Sequence, residues 1–150
     1  MDATQLALWL DRLGAALVLY ARQWCDCPDD VVQEAFLRLA AADPENVPAW
    51  LHRVVRHAAL DAARAARRRR THETAAARPL FVPVADDPDG EAIERAIQAL
   101  PADLREPLVA HLWGGLPFSD IGPLVGTSPA TAHRRYREAL ELLRTQLERP

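Results

Sequence analysis

The chain contains no lysine, and all 18 of its basic residues are arginine. Every cation it presents is therefore a planar guanidinium, a group suited to gripping phosphate in a bidentate way. Cysteine is nearly absent too. Cys25 and Cys27 stand one residue apart with no second pair to complete a metal site, and a bridge between them would be strained, so free thiols in a reducing compartment are expected. Long apolar runs are missing: the longest, Leu13 to Ala21, has nine residues between Arg12 and Arg22, too few to span a bilayer of ~30 Å. No basic start leads into an apolar signal core, and no glycine-rich phosphate loop occurs. A cytoplasmic protein without membrane insertion is expected.

What is present is enough to fold. The 150 residues, 49% hydrophobic, suit one ordinary domain or two small ones. The formal charge of −3 argues on its face against a nucleic-acid binder. It is, however, an average over opposed segments. From Asp26 to Glu45 six acidic residues face Arg38 alone, whereas from Arg53 to Arg70 seven arginines face Asp61 alone. An acidic surface and a basic surface are being built separately.

Helical spacing dominates both ends of the chain, and the only short alternation lies around Leu80-Phe81-Val82, so an all-α fold of two small helical domains is expected. The first helix is expected over Thr4 to Trp24, closed by the turn at Cys25-Asp26-Cys27-Pro28. A second, started by Asp29 or Asp30, covers Val31 to Ala42. Asp43 to Pro48 reads as a loop, with Pro48 in the first turn of a third helix that runs to Arg70. Thr71 to Gly90 has linker composition. Further helices are expected over Glu91–Leu100, Ala102–Leu112, Ser119–Val125 and Pro129–Leu147. Domains at 1–70 and 91–150, joined by 71–90, follow.

On the third helix, steps of 100° put Arg53, Arg56, His57, Arg64, Arg67 and Arg68 within about 60° of one line. Leu51, Val54, Val55, Ala58, Ala59, Ala62 and Ala65 take the opposite face. Arginines so aligned repel one another unless solvated or met by an anion, which favours a polyanionic partner. The stretch from Leu116 to Arg137 fits a helix, a tight turn at Gly126 and a second helix capped by Ser128, with Pro129 at its first position. In that second helix Ala132, Tyr136, Ala139, Leu140, Leu143 and Leu147 form an apolar stripe. Ala130, His133, Arg134 and Arg137 point outward near the end that such helices present to the major groove, and Thr131 and Arg135 lie at the margins, placed for phosphates. On the acidic helix Asp30, Gln33, Glu34 and Leu37 share one surface with Arg38 beside them, an arrangement that reads as a protein-docking face.

Patterns for chemistry fail at required positions. His72-Glu73 lacks the second histidine of a zinc protease helix, and Asp87-Pro88-Asp89-Gly90 has Ala85 and Ala96 where a calcium loop needs carboxylates. No enzyme, cofactor or metal is expected. Trp9, Trp24, Trp50 and Trp113 sit in apolar helical contexts and are expected in the core.

Taken in order, Asp29-Asp-Val-Val-Gln-Glu-Ala-Phe-Leu-Arg-Leu39, Ala49-Trp-Leu-His-Arg-Val-Val-Arg through Arg64, Leu100-Pro-Ala-Asp-Leu-Arg-Glu-Pro-Leu108 and the helix-turn-helix resemble regions 2.2, 2.3–2.4 and 4 of sigma-70 family sigma factors, in the compact extracytoplasmic-function (ECF) form. The resemblance covers nearly the whole chain. It implies that Asp30, Gln33, Glu34, Leu37 and Arg38 dock on the β′ clamp helices of RNA polymerase core. It implies that the 43–48 loop, through Asn46, captures an unstacked base of the melted non-template strand at the minus-ten element, with Arg53, Arg56, His57, Arg64, Arg67 and Arg68 holding DNA phosphates. Ser128, Ala130, Thr131, His133, Arg134, Arg135 and Arg137 would serve the duplex minus-thirty-five element, while the second domain also meets the β flap. Promoter DNA and polymerase core are the implied partners, with an anti-sigma protein as a further one, and the implied location is the cytoplasm, on the nucleoid when bound to polymerase. A sigma-like decoy for an anti-sigma protein, or a conventional helix-turn-helix repressor, are the alternative functions. The chain departs from the family's pattern at His57, where asparagine is common, at Ala132-His133, which replaces a usual Val-Lys pair, and at Gly122-Pro123, where a shortened or bent helix is expected.

Overall fold

The computed structural model describes residues 1–70 and 88–148, which form seven helices and, among the described residues, no strand. The Leu80-Phe81-Val82 patch and the 71–87 part of the expected linker lie outside the described residues. The chain divides into two compact units, Met1–Phe81 and Val82–Pro150.

The first unit is a bundle of α1 (Ala3–Ala21), α2 (Pro28–Ala42) and α3 (Val47–Arg70), each packed on the other two. Asp2 opens α1 through a capping box with Gln5: Asp2 Oδ1 accepts the Gln5 amide at 2.8 Å and Gln5 Oε1 accepts the Asp2 amide at 3.2 Å. Two sequence expectations are revised at the other end. α1 stops at Ala21 rather than Trp24, and Pro28 does not close it but opens α2, where a missing N–H removes no helical bond. Asp43 ends α2 in the left-handed region at φ 43°. Leu13, Leu17, Tyr20, Val32, Phe36, Leu39, Leu51, Val55 and Ala59 fill the core.

The tryptophans are not the core aromatics. Trp9 on α1 and Trp50 on α3 are half-buried, as is Trp24 in the turn after α1, while Trp113 is exposed just past the end of α5 in the second unit. Tyr20 is fully buried instead, its ring 5.0 Å from both Trp24 and His52. His52 is also fully buried. Its Nδ1 lies 2.8 Å from the Pro48 carbonyl, which selects the tautomer that donates there, and Nε2 has no hydrogen-bond partner. Burial pulls the His52 pKa below 6.5, with the Pro48 hydrogen bond opposing. The unfolded chain therefore takes up a proton more readily than the folded one. The contribution to stability is complete above about 6.5 and is lost as pH falls below it, by at most about 1.4 kcal/mol per pH unit. Denaturant midpoints of the first unit between pH 7 and 5 should show this slope, and His52→Phe should remove it. A slope that survives in the variant would place the acid sensitivity elsewhere.

The second unit comprises α4 (Pro88–Ala99), α5 (Ala102–Leu112), α6 (Phe118–Val125) and α7 (Pro129–Glu148). α4 begins three residues before the expected Glu91. α7 is central, packing on the other three helices through Ala132, Ala139 and Leu143, while Ile97, Leu104, Leu108, Val109, Leu116 and Ile121 complete the core. Of the stripe expected on α7, Tyr136 and Leu140 are half-buried and Leu147 is 45% exposed, beyond the reach of the shorter helices. α6 is not shortened by Pro123: it starts one residue earlier than expected and carries the proline inside.

Candidate nucleic-acid and protein interfaces

The acidic face stands on α2. Val31, Val32, Ala35, Phe36 and Leu39 are buried, so the helical repeat leaves Asp30, Gln33, Glu34, Leu37 and Arg38 all exposed on the other side. Asp29 and Asp30 occupy the first turn, where the helix dipole favours them. Arg38 Nε pairs with Glu34 Oε1 at 3.5 Å, both more than half exposed, a contact worth little to stability. Leu37 is 64% exposed. Beside it a groove of about 480 Å³ runs between α1 and α2, lined by Leu6, Leu10, Val18, Val32, Phe36 and Leu37 among others. Sequence reasoning missed this groove. The i, i+4, i+8 run of Leu6, Leu10 and Gly14 marked one of its walls, but the partner wall comes from another helix.

The arginine face stands on α3. Arg53, His57, Arg64, Arg67 and Arg68 are exposed. Arg56 leaves the line: it is half-buried, its guanidinium carbon 5.7 Å from the centroid of the Trp24 ring, a cation–π contact that holds it against the turn after α1. Arg64 Nη1 pairs with Asp61 Oδ1 at 3.2 Å. The four arginines of the last turn complement the negative end of the α3 dipole. At the other end Asn46 is exposed, and its Oδ1 accepts the Ala49 amide at 3.2 Å, so its carboxamide oxygen caps α3.

The helix-turn-helix is built on close backbone contact. Gly126 takes φ +77° as the cap of α6, and the Thr127 amide donates to the Gly122 carbonyl at 2.8 Å. Ser128 Oγ accepts the Thr131 amide at 3.1 Å and donates to Thr131 Oγ1 at 3.0 Å, which ties Ser128 and Thr131 into the start of α7. Ala130, His133, Arg134 and Arg137 are exposed along one face, and Thr131 and Arg135 are half-buried at its margins.

Cys25 is buried and Cys27 half-buried, both as free thiols. Burial pushes the Cys25 thiol up to about 11, which keeps it protonated and unsuited to redox or metal chemistry at neutral pH. Among the described residues no three His, Cys, Asp or Glu side chains stand together as metal ligands, and no helix is long and apolar enough to cross a membrane.

Comparison with known proteins bears on these surfaces. Residues 10–69 match the family model of sigma-70 region 2, and residues 90–143 that of sigma-70 region 4. The chain is 32% identical over 136 residues to the Probable RNA polymerase sigma factor RfaY of Xanthomonas campestris pv. campestris, covering 79% of this chain and 34% of that protein. It is 32% identical over 124 residues to the ECF RNA polymerase sigma factor SigM of Mycobacterium tuberculosis, covering 74% and 59%. The chain thus spans a minor part of the first relative and under two thirds of the second. Among solved structures, the sigma factor RpoE of Bartonella quintana in complex with the anti-sigma factor NepR matches with a TM-score of 0.73 at 20% identity, over 95% of both chains. CnrH in complex with the cytosolic domain of CnrY matches at 0.64 and 22%, over 98% of this chain and 90% of that one. At those identities the likeness is one of fold.

Proposed function

Because this chain belongs to the sigma-70 family of sigma factors, in its ECF form, we propose that it confers promoter specificity on RNA polymerase core and works in the cytoplasm. The observation that carries the reading is the presence on one chain of three exposed faces of different character: acidic on α2, basic on α3 and outward-reading on α7. The acidic face, with Leu37 and the apolar groove next to it, suits a protein helix that is itself amphipathic and basic, and we assign it to the β′ clamp helices. Asp30, Gln33, Glu34, Leu37 and Arg38 make the contact.

Arg53, His57, Arg64, Arg67 and Arg68 hold phosphates of duplex and melted DNA near the minus-ten element. Arg56 contributes charge from its seat on Trp24. Asn46 stands at the loop that takes an unstacked base, and extracting that base costs a few kcal/mol, which stacking and edge contacts offset. The face of Ala130, His133, Arg134 and Arg137 reads the minus-thirty-five duplex, with Ser128, Thr131 and Arg135 at the phosphates and the β flap on another surface of the same unit. An anti-sigma protein is a further proposed partner, suggested by the complex of RpoE with the anti-sigma factor NepR. Retention of both basic faces favours this function over a decoy, and the acidic docking face favours it over a free-standing repressor.

Run-off transcription is the test. Core polymerase supplemented with the full chain should start at defined sites on genomic templates, and unchanged transcripts would refute the function. Gel shifts should show little duplex binding by the chain alone, because its acidic segments oppose the phosphates until polymerase covers one of them.

A further inference from the structure

The outward face of α7 differs from a row of flexible arginines at one point. The His133 ring leans on Phe118, the first residue of α6, with centroids 4.8 Å apart and planes at 59°. Phe118 is held in turn: it stacks on His111 at 4.3 Å and 21°, and meets Tyr136 at 5.4 Å. His111 is anchored by Nδ1, 2.8 Å from the Leu116 carbonyl, and by an edge contact with Tyr136 at 4.7 Å. Rings from α5, α6 and α7 therefore form one chain of contacts that ends on an exposed imidazole. Among the described residues no hydrogen bond engages a nitrogen of the His133 ring, which is exposed, so a ring N–H remains to face a ligand.

We propose that His133 reads a guanine in the major groove of the minus-thirty-five element and that Phe118 is its positioning residue. The inference rests on the assignment of the second unit to that element. Guanine presents two adjacent acceptors, N7 and O6, to the groove, and a single N–H aimed between them is satisfied. Adenine keeps N7 but sets an amino donor where guanine has O6, cytosine offers a donor in place of an acceptor, and thymine sets a methyl beside its single O4 acceptor, so guanine alone presents the N–H with two adjacent acceptors. A ring already held by Phe118 gives up little rotamer freedom when it binds, and it aims at one base instead of sampling several. Ala130, one turn nearer the start of α7, has only a methyl to offer, and Arg134 and Arg137 reach with longer stems.

The experiment is transcription by core polymerase with the full chain on barcoded promoters carrying every base at each minus-thirty-five position. The wild-type protein should prefer guanine by about ten-fold at one position, the size of a single specific base contact. His133→Ala should reduce that preference to less than about two-fold and leave the other positions as they were. Phe118→Leu should weaken the same position about three-fold, and Phe118→Tyr, which keeps the ring, should restore it. A profile unchanged by His133→Ala, or a flattened position that is not guanine, overturns the base assignment. If Phe118→Leu leaves the guanine preference intact, or if both Phe118 variants lose every preference equally, Phe118 is a packing residue and its positioning role is overturned. A wild-type protein that directs no initiation would refute the function itself, a result visible before any variant is compared.

Discussion

Replacing Gly122 by alanine is expected to unfold or displace the recognition helix, although alanine is ordinarily the better helix former. A Cβ at this position would stand 2.8 Å from the Thr127 carbonyl oxygen, 2.9 Å from the Pro129 nitrogen and 3.0 Å from the Ser128 carbonyl carbon. All three are backbone atoms of the turn and of the start of α7, so no side chain can swing aside. Relief requires the turn to move, which breaks the 2.8 Å hydrogen bond from Thr127 to Gly122 and shifts Ser128 from its capping position. Overpacking of this kind costs on the order of 2–3 kcal/mol. In a unit of this size that lowers the melting temperature by roughly 10 °C or more. Gly126→Ala is the comparison: nothing lies within 4 Å of its Cβ direction, so its cost of about 1 kcal/mol comes from the positive φ alone. Calorimetry of the full chain separates the two. A Gly122→Ala protein within ~0.5 kcal/mol of the parent would show that the turn relaxes easily.

Reversing charge at Asp30 and Glu34 together is expected to weaken binding to polymerase core by about 100-fold while leaving the bundle folded. Both side chains are exposed, and the buried face of α2 does not include them. The double change turns an attractive surface into a repulsive one and sets a new arginine beside Arg38. The local cost is small, because among the described residues the ion pair lost is the exposed one between Glu34 and Arg38, and Asp29 remains in the first turn of α2 to serve the dipole. Fluorescence titration against core polymerase, with circular dichroism as the folding control, measures both quantities. Undiminished affinity in a folded double variant would move the docking face elsewhere. Leu37→Ala should then be compared with it, since loss of affinity there alone would make the apolar groove the main contact.

Much of the architecture was readable from local chemistry. Prolines, glycines and capping residues mark chain reversals because their own backbones demand it, so Pro129, Ser128 and Gly126 placed the α6–α7 turn to the residue. Pro28 misled for a related reason: a proline forbids helix behind it as firmly as it permits helix ahead, and the text of the sequence does not say which neighbour it serves. The tryptophans misled because size and apolarity do not fix burial at a helix margin. His52 was overlooked although it stands three residues before Val55 and seven before Ala59, on the buried side of α3, because a polar ring reads as surface until its Nδ1 finds the Pro48 carbonyl.

By itself the sequence determined the all-α class, the segregation of acidic from basic residues, and the faces of single helices, since the 100° step of a helix assigns each side chain a direction without reference to anything else. Only the tertiary structure decided what those faces meet. The groove between α1 and α2 and the ring chain from His111 through Phe118 to His133 join residues of separate helices, and the seat of Arg56 on Trp24 and the space denied at Gly122 set a helix against a turn. Such contacts depend on crossing angle and axial register, which arise from the packing of whole side-chain surfaces and leave no local trace in the order of residues.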